Sequence, residues 1–291
     1  MKRATRYGLF FISPALMYFF IFWILPLLLA LYYSLTKWAV GQKAQFIGLR
    51  NYLALFKDPQ FHQALSASGF ITVLTVILTM FIALFLANLL NDEKLMGGRL
   101  FKTLIMLPVV ADWVATGLVW QLIFLPYNGV LPGIFLDLGL KEWMSLRWTA
   151  SRSLAPLAIV IFIIWKTAGL YTIIFLAGLK SVPKAYQEAA YVDGANSLQT
   201  FLQITLPLLR PILVFVLVIV FVNSIGLFEP VYILTGGGPA DATRVLSIFL
   251  YENFFQFHNS GYASAAGVLF LLICLAFALI TARLLQYSYY E

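Results

Sequence analysis

Residues 69–90 read GFITVLTVILTMFIALFLANLL, an apolar stretch that carries no formal charge. A membrane-spanning α-helix needs about 20 mostly apolar residues, because each residue adds about 1.5 Å toward a hydrocarbon core roughly 30 Å thick. This stretch is long enough to cross that core once. It therefore predicts a transmembrane helix.

Five further apolar runs of comparable length lie on either side of this one. They occupy residues 8–33, 104–125, 154–178, 211–233 and 262–282. Three of the runs contain a charged residue each, namely Asp112, Lys166 and Glu229. The ten-residue alternation that is typical of outer-membrane barrels is absent. The sequence therefore predicts an all-α, polytopic membrane protein with six transmembrane helices and both termini on one side.

The composition agrees with this prediction and excludes several other classes. Of 291 residues, 62% are hydrophobic and only 11% are charged, whereas soluble chains are about half apolar and about a quarter charged. The formal net charge of +7 is spread between apolar blocks, as expected for helix ends at a membrane and not for a nucleic-acid surface. A single cysteine, Cys274, excludes a disulfide framework.

The start of the chain imitates a secretory signal but does not fit one. Lys2, Arg3 and Arg6 precede the first apolar run, yet that run is about twice too long for a signal peptide and no A-x-A-like cleavage site follows. We expect a retained helix. Basic residues near the helix ends slightly favour the side that carries both termini, which predicts cytoplasmic termini.

The sequence lacks the motifs of common enzyme sites. Residues 97–103, GGRLFKT, contain glycine, lysine and threonine but not at the spacing of the P-loop pattern G-x-x-x-x-G-K-[ST], so no nucleotide site is expected. His62 and His258 stand far apart without a cluster of carboxylates or cysteines at metal-ligand spacing. No G-x-S-x-G or H-E-x-x-H occurs. We therefore expect neither a hydrolytic nor a metal-dependent enzyme, and no metal site.

One long polar connection, residues 179–210, lies on the side of the termini. Pro183 is suited to the start of a short helix, and Gly194 is suited to the left-handed residue that ends it. A second helix can begin at Asn196 or Ser197, and prolines at its end can bend it into the fifth crossing. The small pair Ala189–Ala190 would let another backbone come close, so the loop predicts a docking site for a partner protein.

This loop also carries a family signature. It reads E-A-A-x3-G-x9-I-x-L-P, formed by Glu188, Ala189, Ala190, Gly194, Ile204, Leu206 and Pro207. The pattern resembles the signature loop of the membrane subunits of ABC importers, in particular the sugar-type permeases of binding-protein-dependent systems. Further similar segments are residues 46–52 (FIGLRNY), 176–179 (LAGL), 182–183 (VP) and 234–239 (LTGGGP). The last of these, with residues 13–16 (SPAL), resembles the first permease of maltose- or glycerol-phosphate-type systems.

The resemblance implies a fold and a role for the loop. Residues 1–291 would form a single transmembrane permease domain with the ABC type I importer permease fold, and residues 179–210 would be its cytoplasmic coupling loop. In the family this loop inserts into a groove on a separate ATPase. The residues implied in coupling are Glu188, Ala189, Ala190, Asp193, Gly194, Leu206 and Pro207.

The resemblance also implies partners and a location. The chain would pair with a second homologous permease, two ATPase subunits and an extracytoplasmic substrate-binding protein, in contact with membrane lipid and without nucleic acid. ATP and Mg would bind to the ATPase subunits, and this chain would hold no cofactor. It would lie in the cytoplasmic (inner) membrane of a bacterium or archaeon, with both termini in the cytoplasm.

Charged and aromatic residues within the apolar runs are candidates for a substrate path. A charge at mid-membrane costs about 2.5–3.5 kcal/mol on insertion scales, so such residues should face the protein interior or water. Carboxylates and aromatic rings together suit a polyol, because they bind its hydroxyls and its C–H face. The candidates are Asp112, Trp113, Lys166, Asn223, Glu229 and Tyr232. Helix packing and interfacial aromatic belts are the alternative explanation for each of these residues.

The sequence leaves three further questions open. The glycine-rich segment Gly236, Gly237, Gly238 and Pro239 is either a turn or, as the family implies, a contact for the binding protein. The alternative function is a self-sufficient secondary transporter in which Asp112, Lys166 and Glu229 relay ions or protons. For the importer, the substrate can be an oligosaccharide, a monosaccharide, a polyol, a glycosylated osmolyte or glycerol phosphate.

Overall fold

The computed structural model describes residues 2–92 and 95–286, and these are predominantly helical. Their one β structure is an antiparallel ribbon of β1 (Thr36–Lys37) and β2 (Gln45–Phe46), in which Thr36 pairs with Phe46. The helices are α1 (Lys2–Phe19), α2 (Leu25–Ser34), α3 (Arg50–Leu55), α4 (Pro59–Leu90), α5 (Gly98–Val110), α6 (Trp113–Ile123), α7 (Val130–Asp137), α8 (Ala155–Ser181), α9 (Lys184–Val192), α10 (Ser197–Thr200), α11 (Leu206–Leu208), α12 (Arg210–Ile225), α13 (Glu229–Leu234), α14 (Leu246–Tyr251) and α15 (Ser260–Gln286). Single π-helical turns occupy Phe20–Ile24, Phe201–Thr205 and Glu252–Gln256, and Lys141–Ser145 forms a 3-10 turn.

Four continuous helical segments within the described residues are long and apolar enough to cross a membrane. They are Phe11–Ser34, Pro59–Leu90, Ala155–Ser181 and Ser260–Arg283. Two bent helix pairs bring the number to six if each pair is one span. The predicted all-α membrane fold is therefore confirmed. The predicted location of the termini involves residues 1 and 287–291, which lie outside the described residues.

Two of the predicted crossings are not continuous helices. The run at 104–125 breaks between α5 and α6, whose axes meet at 101°. The run at 211–233 ends as a helix at Ile225, and α13 begins after a gap at Glu229. Apolar length does not reveal where Asp112 caps a new helix or where Gly226 and Pro230 interrupt one.

Contacts between Cα atoms divide the chain into two compact units. The first unit comprises residues 1–62 and 249–273. Within it, the buried Asn51 side chain donates hydrogen bonds to the carbonyls of Ser34 (2.8 Å) and Thr36 (2.9 Å). The Tyr52 hydroxyl donates to the Ser34 hydroxyl (2.7 Å). Asn51 and Tyr52 thus join the short helix α3 to the end of α2.

The second unit comprises residues 63–248 and 274–291, and α8 lies at its centre. In the most apolar window of α8, 67% of the residues are buried, against 39% for α4. One buried cluster surrounds Phe162 and Ile163 toward the start of α8, and a second surrounds Phe175 and Leu179 toward its end. A helix that is packed against protein on most sides is apolar around most of its circumference, and Lys166 is the charged residue near the middle of α8.

Candidate functional site

The break between α5 and α6 is closed by the Asp112 side chain. Its Oδ1 atom accepts hydrogen bonds from the backbone N–H groups of Val114 (2.8 Å) and Ala115 (3.0 Å). Asp112 is therefore the N-cap of α6. A carboxylate at a helix N-terminus satisfies unpaired donors and complements the helix dipole. This position explains why the third apolar run contains a charge.

Lys166 reaches the same break from α8. It is 2% exposed, and its Nζ atom donates hydrogen bonds to the carbonyls of Pro108 (2.6 Å) and Ala111. The ammonium also lies 5.2 Å from the centre of the Trp113 ring. Lys166 thus binds backbone carbonyls at the end of α5.

A second break, Gly226–Phe228, lies between α12 and α13, and α13 packs against α6. The side-chain amide of Gln121 donates to the carbonyl of Ile233. A Cβ atom at Gly117 would lie 2.9 Å from the side chain of Ile233, so this glycine permits the close approach of the two helices. The helices on either side of the two breaks are therefore packed together: α13 contacts α6, and α5, α12 and α13 contact α8.

A cavity of about 370 Å³ opens beside the two breaks. Its lining residues are Val109, Trp113, Ile163, Lys166, Thr167, Leu170, Tyr171, Asn223, Ser224, Gly226, Leu227 and Glu229. Non-helical backbone at membrane depth is tolerated where it is buried in protein or lines such a cavity. The cavity therefore explains how both interrupted helices are accommodated.

Four of the six predicted path residues line this cavity. They are Trp113, Lys166, Asn223 and Glu229. Asp112 and Tyr232 do not: Asp112 caps α6, and the Tyr232 ring stacks on that of Phe228 at 5.1 Å. The structure thus brings together four residues from three predicted crossings.

Sequence reasoning missed two polar lining residues on α8, Thr167 and Tyr171. The Tyr171 hydroxyl accepts a hydrogen bond from the side-chain amide of Asn223 (3.2 Å). Thr167 and Tyr171 are four positions apart, so they share one face of α8. The spacing of these two polar residues within an apolar run is the signal that could have found them.

The lining residues offer a defined set of groups to a ligand. Trp113 provides an aromatic ring, and Thr167, Tyr171 and Ser224 provide hydroxyls. Asn223 adds an amide, and Glu229 adds a carboxylate. Rings bind the C–H faces of a polar molecule, while hydroxyls, amides and carboxylates exchange hydrogen bonds with its hydroxyl groups. The cavity is chemically suited to a polyhydroxylated compound.

The predicted helix-turn-helix at 179–210 is present. Helix α9 begins after Pro183, which is its N-cap. Gly194 has φ +86°, as predicted for the left-handed residue that ends the helix. The Gly194 N–H bonds to the Tyr191 carbonyl (3.1 Å) and the Ala195 N–H to the Ala190 carbonyl (2.9 Å), the pattern of a Schellman cap.

The second helix of this loop begins with a capping box. The Asn196 side chain accepts from the Gln199 N–H (2.9 Å), and the Gln199 side chain accepts from the Asn196 N–H (2.8 Å). The segment continues through a π-helical turn to Leu208, then bends by 71° into α12. The bend lies between Pro207 and Pro211, as predicted.

The signature residues differ in their exposure. Glu188, Ala189, Asp193, Gly194 and Pro207 are exposed, Leu206 is half-buried, and Ala190 is buried. The expectation that both alanines form the exposed face therefore needs correction. Ala190 faces inward because adjacent helical residues point about 100° apart. Exposed apolar side chains nearby are Tyr186, Tyr191, Val192 and Leu198.

The glycine-rich segment after α13 forms a closed loop. It contains the predicted docking residues Gly236, Gly237, Gly238 and Pro239. Gly236 (φ +58°) is exposed, whereas Gly237 (φ +92°) is buried against Arg244. The Thr243 hydroxyl donates to the Gly238 carbonyl (2.6 Å) and lies 2.7 Å from the Thr235 hydroxyl. The left-handed glycines therefore serve the turn itself, and Gly236 is its most accessible member.

The fold and the cavity together define a class of protein. Multi-pass helices with polar side chains and interrupted helices around an internal cavity are the architecture of a membrane transport protein. A family model, the binding-protein-dependent transport system inner membrane component, matches residues 94–286. The chain belongs to this family.

Relatives and solved structures agree with the family. The probable ABC transporter permease YurN of Bacillus subtilis is 33% identical, over 94% of this chain and 94% of the relative. The arabinooligosaccharides permease AraP of Bacillus subtilis is 32% identical (97% and 89% covered), and the trehalose/maltose permease MalF of Thermococcus litoralis is 30% identical (96% and 93%).

Two solved structures share the fold. One is a bacterial ABC transporter involved in the import of the acidic polysaccharide alginate, with a TM-score of 0.84, 24% identity and 98% of both chains covered. The other is a bacterial alginate ABC transporter in complex with an alginate pentasaccharide-bound periplasmic protein, with a TM-score of 0.83, 24% identity and coverage of 96% and 94%. The chain is thus a multi-pass transport permease subunit, and the comparisons favour that function over a self-sufficient secondary transporter.

Proposed function

We propose that this chain is the permease subunit of an ATP-driven importer for a sugar or a related polyol or glycoside. It forms half of the translocation path, and residues 1–291 act as one transmembrane permease domain. The observation that carries the proposal is the cavity beside Lys166, in which an aromatic ring, hydroxyls, an amide and a carboxylate converge. The saccharides in the names of AraP and MalF support the same class of substrate.

The cavity also favours one kind of saccharide over another. Glu229 is an exposed carboxylate on its wall. The one cation among the lining residues, Lys166, already donates to two backbone carbonyls. A carboxylate repels an anionic ligand, and a cation that is held by other acceptors offers it little compensation. An uncharged sugar or glycoside therefore suits this cavity better than a uronic-acid oligosaccharide.

Residues 179–210 act as the cytoplasmic coupling loop to a separate ATPase subunit. Helix α9 exposes Glu188 together with the apolar side chains of Tyr186 and Val192. Exposed aromatic and aliphatic groups around a charged residue are typical of a protein-binding surface. The Schellman cap at Gly194 gives the helix a defined end, so its exposed face is presented in one orientation.

The proposal includes the remaining partners of such an importer. A second homologous permease completes the path, two ATPase subunits bind ATP and Mg, and this chain holds no cofactor. An extracytoplasmic substrate-binding protein delivers the sugar, and the exposed Gly236 belongs to the loop proposed to contact it. Membrane lipid covers the outer apolar surface. The protein lies in the cytoplasmic membrane of a bacterium or archaeon, with both termini in the cytoplasm.

The mechanism is alternating access. ATP binding closes the ATPase pair, and the coupling loops transmit this movement to the two permeases. The permeases then change from inward-open to outward-open, where the binding protein releases its ligand. The interrupted helices around Lys166 and Gly226 line the path along which the sugar moves.

The proposal is tested by purifying the tagged protein in mild detergent with its bound partners. We expect a second six-helix protein and an ATPase to be recovered, with ATP-dependent saccharide uptake after reconstitution. Glu188→Lys should leave the protein inserted but lose the ATPase or uncouple hydrolysis from uptake. Glu142→Lys is the matched control, because Glu142 is also exposed but lies in the connection after α7.

Two results would contradict the proposal. One is normal coupled uptake by Glu188→Lys. The other is a protein that purifies alone, under conditions that preserve known membrane complexes, and transports in vesicles without ATP. The second result would return attention to Asp112, Lys166 and Glu229 as an ion relay.

A further inference from the structure

The ammonium of Lys166 makes its described contacts with one short segment of the chain. Its hydrogen bonds go to the carbonyls of Pro108 (2.6 Å) and Ala111, and the Trp113 ring centre lies 5.2 Å away. These three residues form the end of α5 and the start of α6. With 2% exposure, Lys166 is a buried cation.

These contacts satisfy a specific physical requirement. The last carbonyls of a helix have no partner within that helix. At membrane depth no bulk water replaces the missing partner, so an unpaired carbonyl is costly. Helix α5 ends at Val110, inside the third apolar run. A buried cation at this end supplies donors and is attracted by the negative end of the helix dipole.

A second contact on α8 holds the same helix. Gly169, one turn after Lys166, faces the backbone of Ile105, and a Cβ atom at Gly169 would overlap the Ile105 carbonyl. The end of α5 is therefore anchored on α8 at two points. Trp113 follows directly, with its ring edge-on to Phe162 at 5.7 Å. The place of that ring in the cavity wall thus depends on where α5 ends.

We propose that Lys166 is a positioning residue. By binding the carbonyls of Pro108 and Ala111, it fixes the break between α5 and α6 so that the Trp113 ring forms the aromatic wall of the cavity. Trp113 contacts the sugar, and Lys166 does not. This inference rests on the proposed function of the cavity, but the position of Trp113 can be measured without any substrate.

The first experiment uses the purified permease complex and acrylamide quenching of Trp113 fluorescence. The fluorescence of Trp113 is obtained by subtraction: the emission of each variant carrying Trp113→Phe is subtracted from the emission of the same variant with Trp113 intact. Lys166→Met should raise the quenching constant and shift the Trp113 emission to the red, because the ring is no longer held against Phe162. Lys166→Arg should resemble the unmodified protein, because it keeps the charge and the donors.

Matched variants separate this role from general destabilisation. Thr172→Val removes a buried hydroxyl of the same helix whose hydrogen bond stays within that helix, to Ala168 (2.7 Å). It should leave the Trp113 signal unchanged. Asp112→Asn keeps the acceptor that caps α6 and should also leave it unchanged. If Lys166→Met is not recovered, Lys166→Gln, which is too short to reach both carbonyls, replaces it with the same expectation.

Two outcomes of this experiment would overturn the proposal. The first is an unchanged Trp113 signal in a folded Lys166→Met or Lys166→Gln complex. The second is the Lys166→Met signal appearing in Asp112→Asn, which would mean that Lys166 acts through an ion pair with that carboxylate and not through the carbonyls.

The second experiment measures uptake into proteoliposomes with labelled maltose, trehalose, lactose and arabinotriose as probes. For a transported probe, Lys166→Met and Trp113→Ala should each raise KM by about tenfold, or about 1.4 kcal/mol, and the double variant should add little to either. If the KM increases of the two single variants add up in the double variant, Lys166 does not act through Trp113, and the proposal is overturned. If no probe is transported, these four sugars are excluded as substrates, while the quenching experiment still decides the role of Lys166.

Discussion

Gly169 on α8 lies directly against the backbone carbonyl of Ile105 on α5. The two helices touch through their main chains, without an intervening side chain at this point. Small residues permit such close packing between membrane helices. This contact places the end of α5 beside Lys166, and the cavity therefore depends on a residue that carries no functional group.

Gly169→Ala should destabilise the protein. The added methyl group overlaps the Ile105 carbonyl, and overpacking of this kind typically costs about 1–3 kcal/mol of unfolding free energy. Gly133→Ala is the control, because a Cβ atom there meets nothing within 4 Å. Thermal unfolding of the detergent-solubilised protein should show a lower Tm for Gly169→Ala alone. Equal Tm values would mean that α5 and α8 are not in backbone contact.

Gly194→Val should uncouple ATP hydrolysis from uptake while leaving the protein inserted. A Cβ atom at Gly194 meets nothing within 4 Å, so the effect arises from its φ of +86° and not from crowding. Holding a β-branched residue in this conformation costs about 1–2 kcal/mol, so the helix end should rearrange. Gly194→Asn should retain more coupling, because asparagine tolerates left-handed conformations. The measurement is ATP hydrolysed per sugar transported, and equal ratios for both variants would contradict the prediction.

Asp112 should behave as a helix cap and not as a proton carrier. Asp112→Ala removes both hydrogen bonds to the start of α6 and should cost about 1 kcal/mol of stability. Asp112→Asn keeps an acceptor and should preserve both Tm and ATP-dependent uptake. A folded Asp112→Asn variant without uptake would instead indicate that the ionised carboxylate takes part in transport.

Asn223 should contribute to the affinity for sugar. It lines the cavity and donates to the Tyr171 hydroxyl (3.2 Å). Asn223→Leu removes the amide at similar volume, and loss of one hydrogen bond of about 1 kcal/mol should raise KM about fivefold. Thr103→Val, which removes an exposed hydroxyl bonded to its own helix at Arg99, is the control. Unchanged KM values in both variants would remove Asn223 from the path.

Much of the architecture was predictable because it depends on local properties of the chain. The apolar run at 69–90 indicates a spanning helix by its length, and it lies within the continuous helix α4. Gly194 was predicted to end α9 because it tolerates positive φ. The next helix was predicted to begin at Asn196 or Ser197, because either side chain can cap one, and Asn196 is the cap. These properties require only neighbouring residues.

The candidate site was predictable only in part. Trp113, Lys166, Asn223 and Glu229 stood out because polar or aromatic groups within apolar runs need an explanation, and all four line the cavity. Tyr232 has the same residue chemistry but stacks on Phe228 outside the lining. Residue type does not reveal which side of a helix faces a cavity when the whole helix is apolar.

The sequence by itself determined that the chain crosses a membrane as helices and that residues 179–210 form two short helices joined by a turn, because apolar length and turn chemistry act over a few residues. Only the tertiary structure decided what Lys166 binds. Its partners Ala111 and Pro108 lie 55 and 58 positions away in the chain, and their carbonyls become acceptors only because α5 is interrupted beside α8. The hydrogen-bond partners of a buried charge depend on which distant segments of the chain pack next to it.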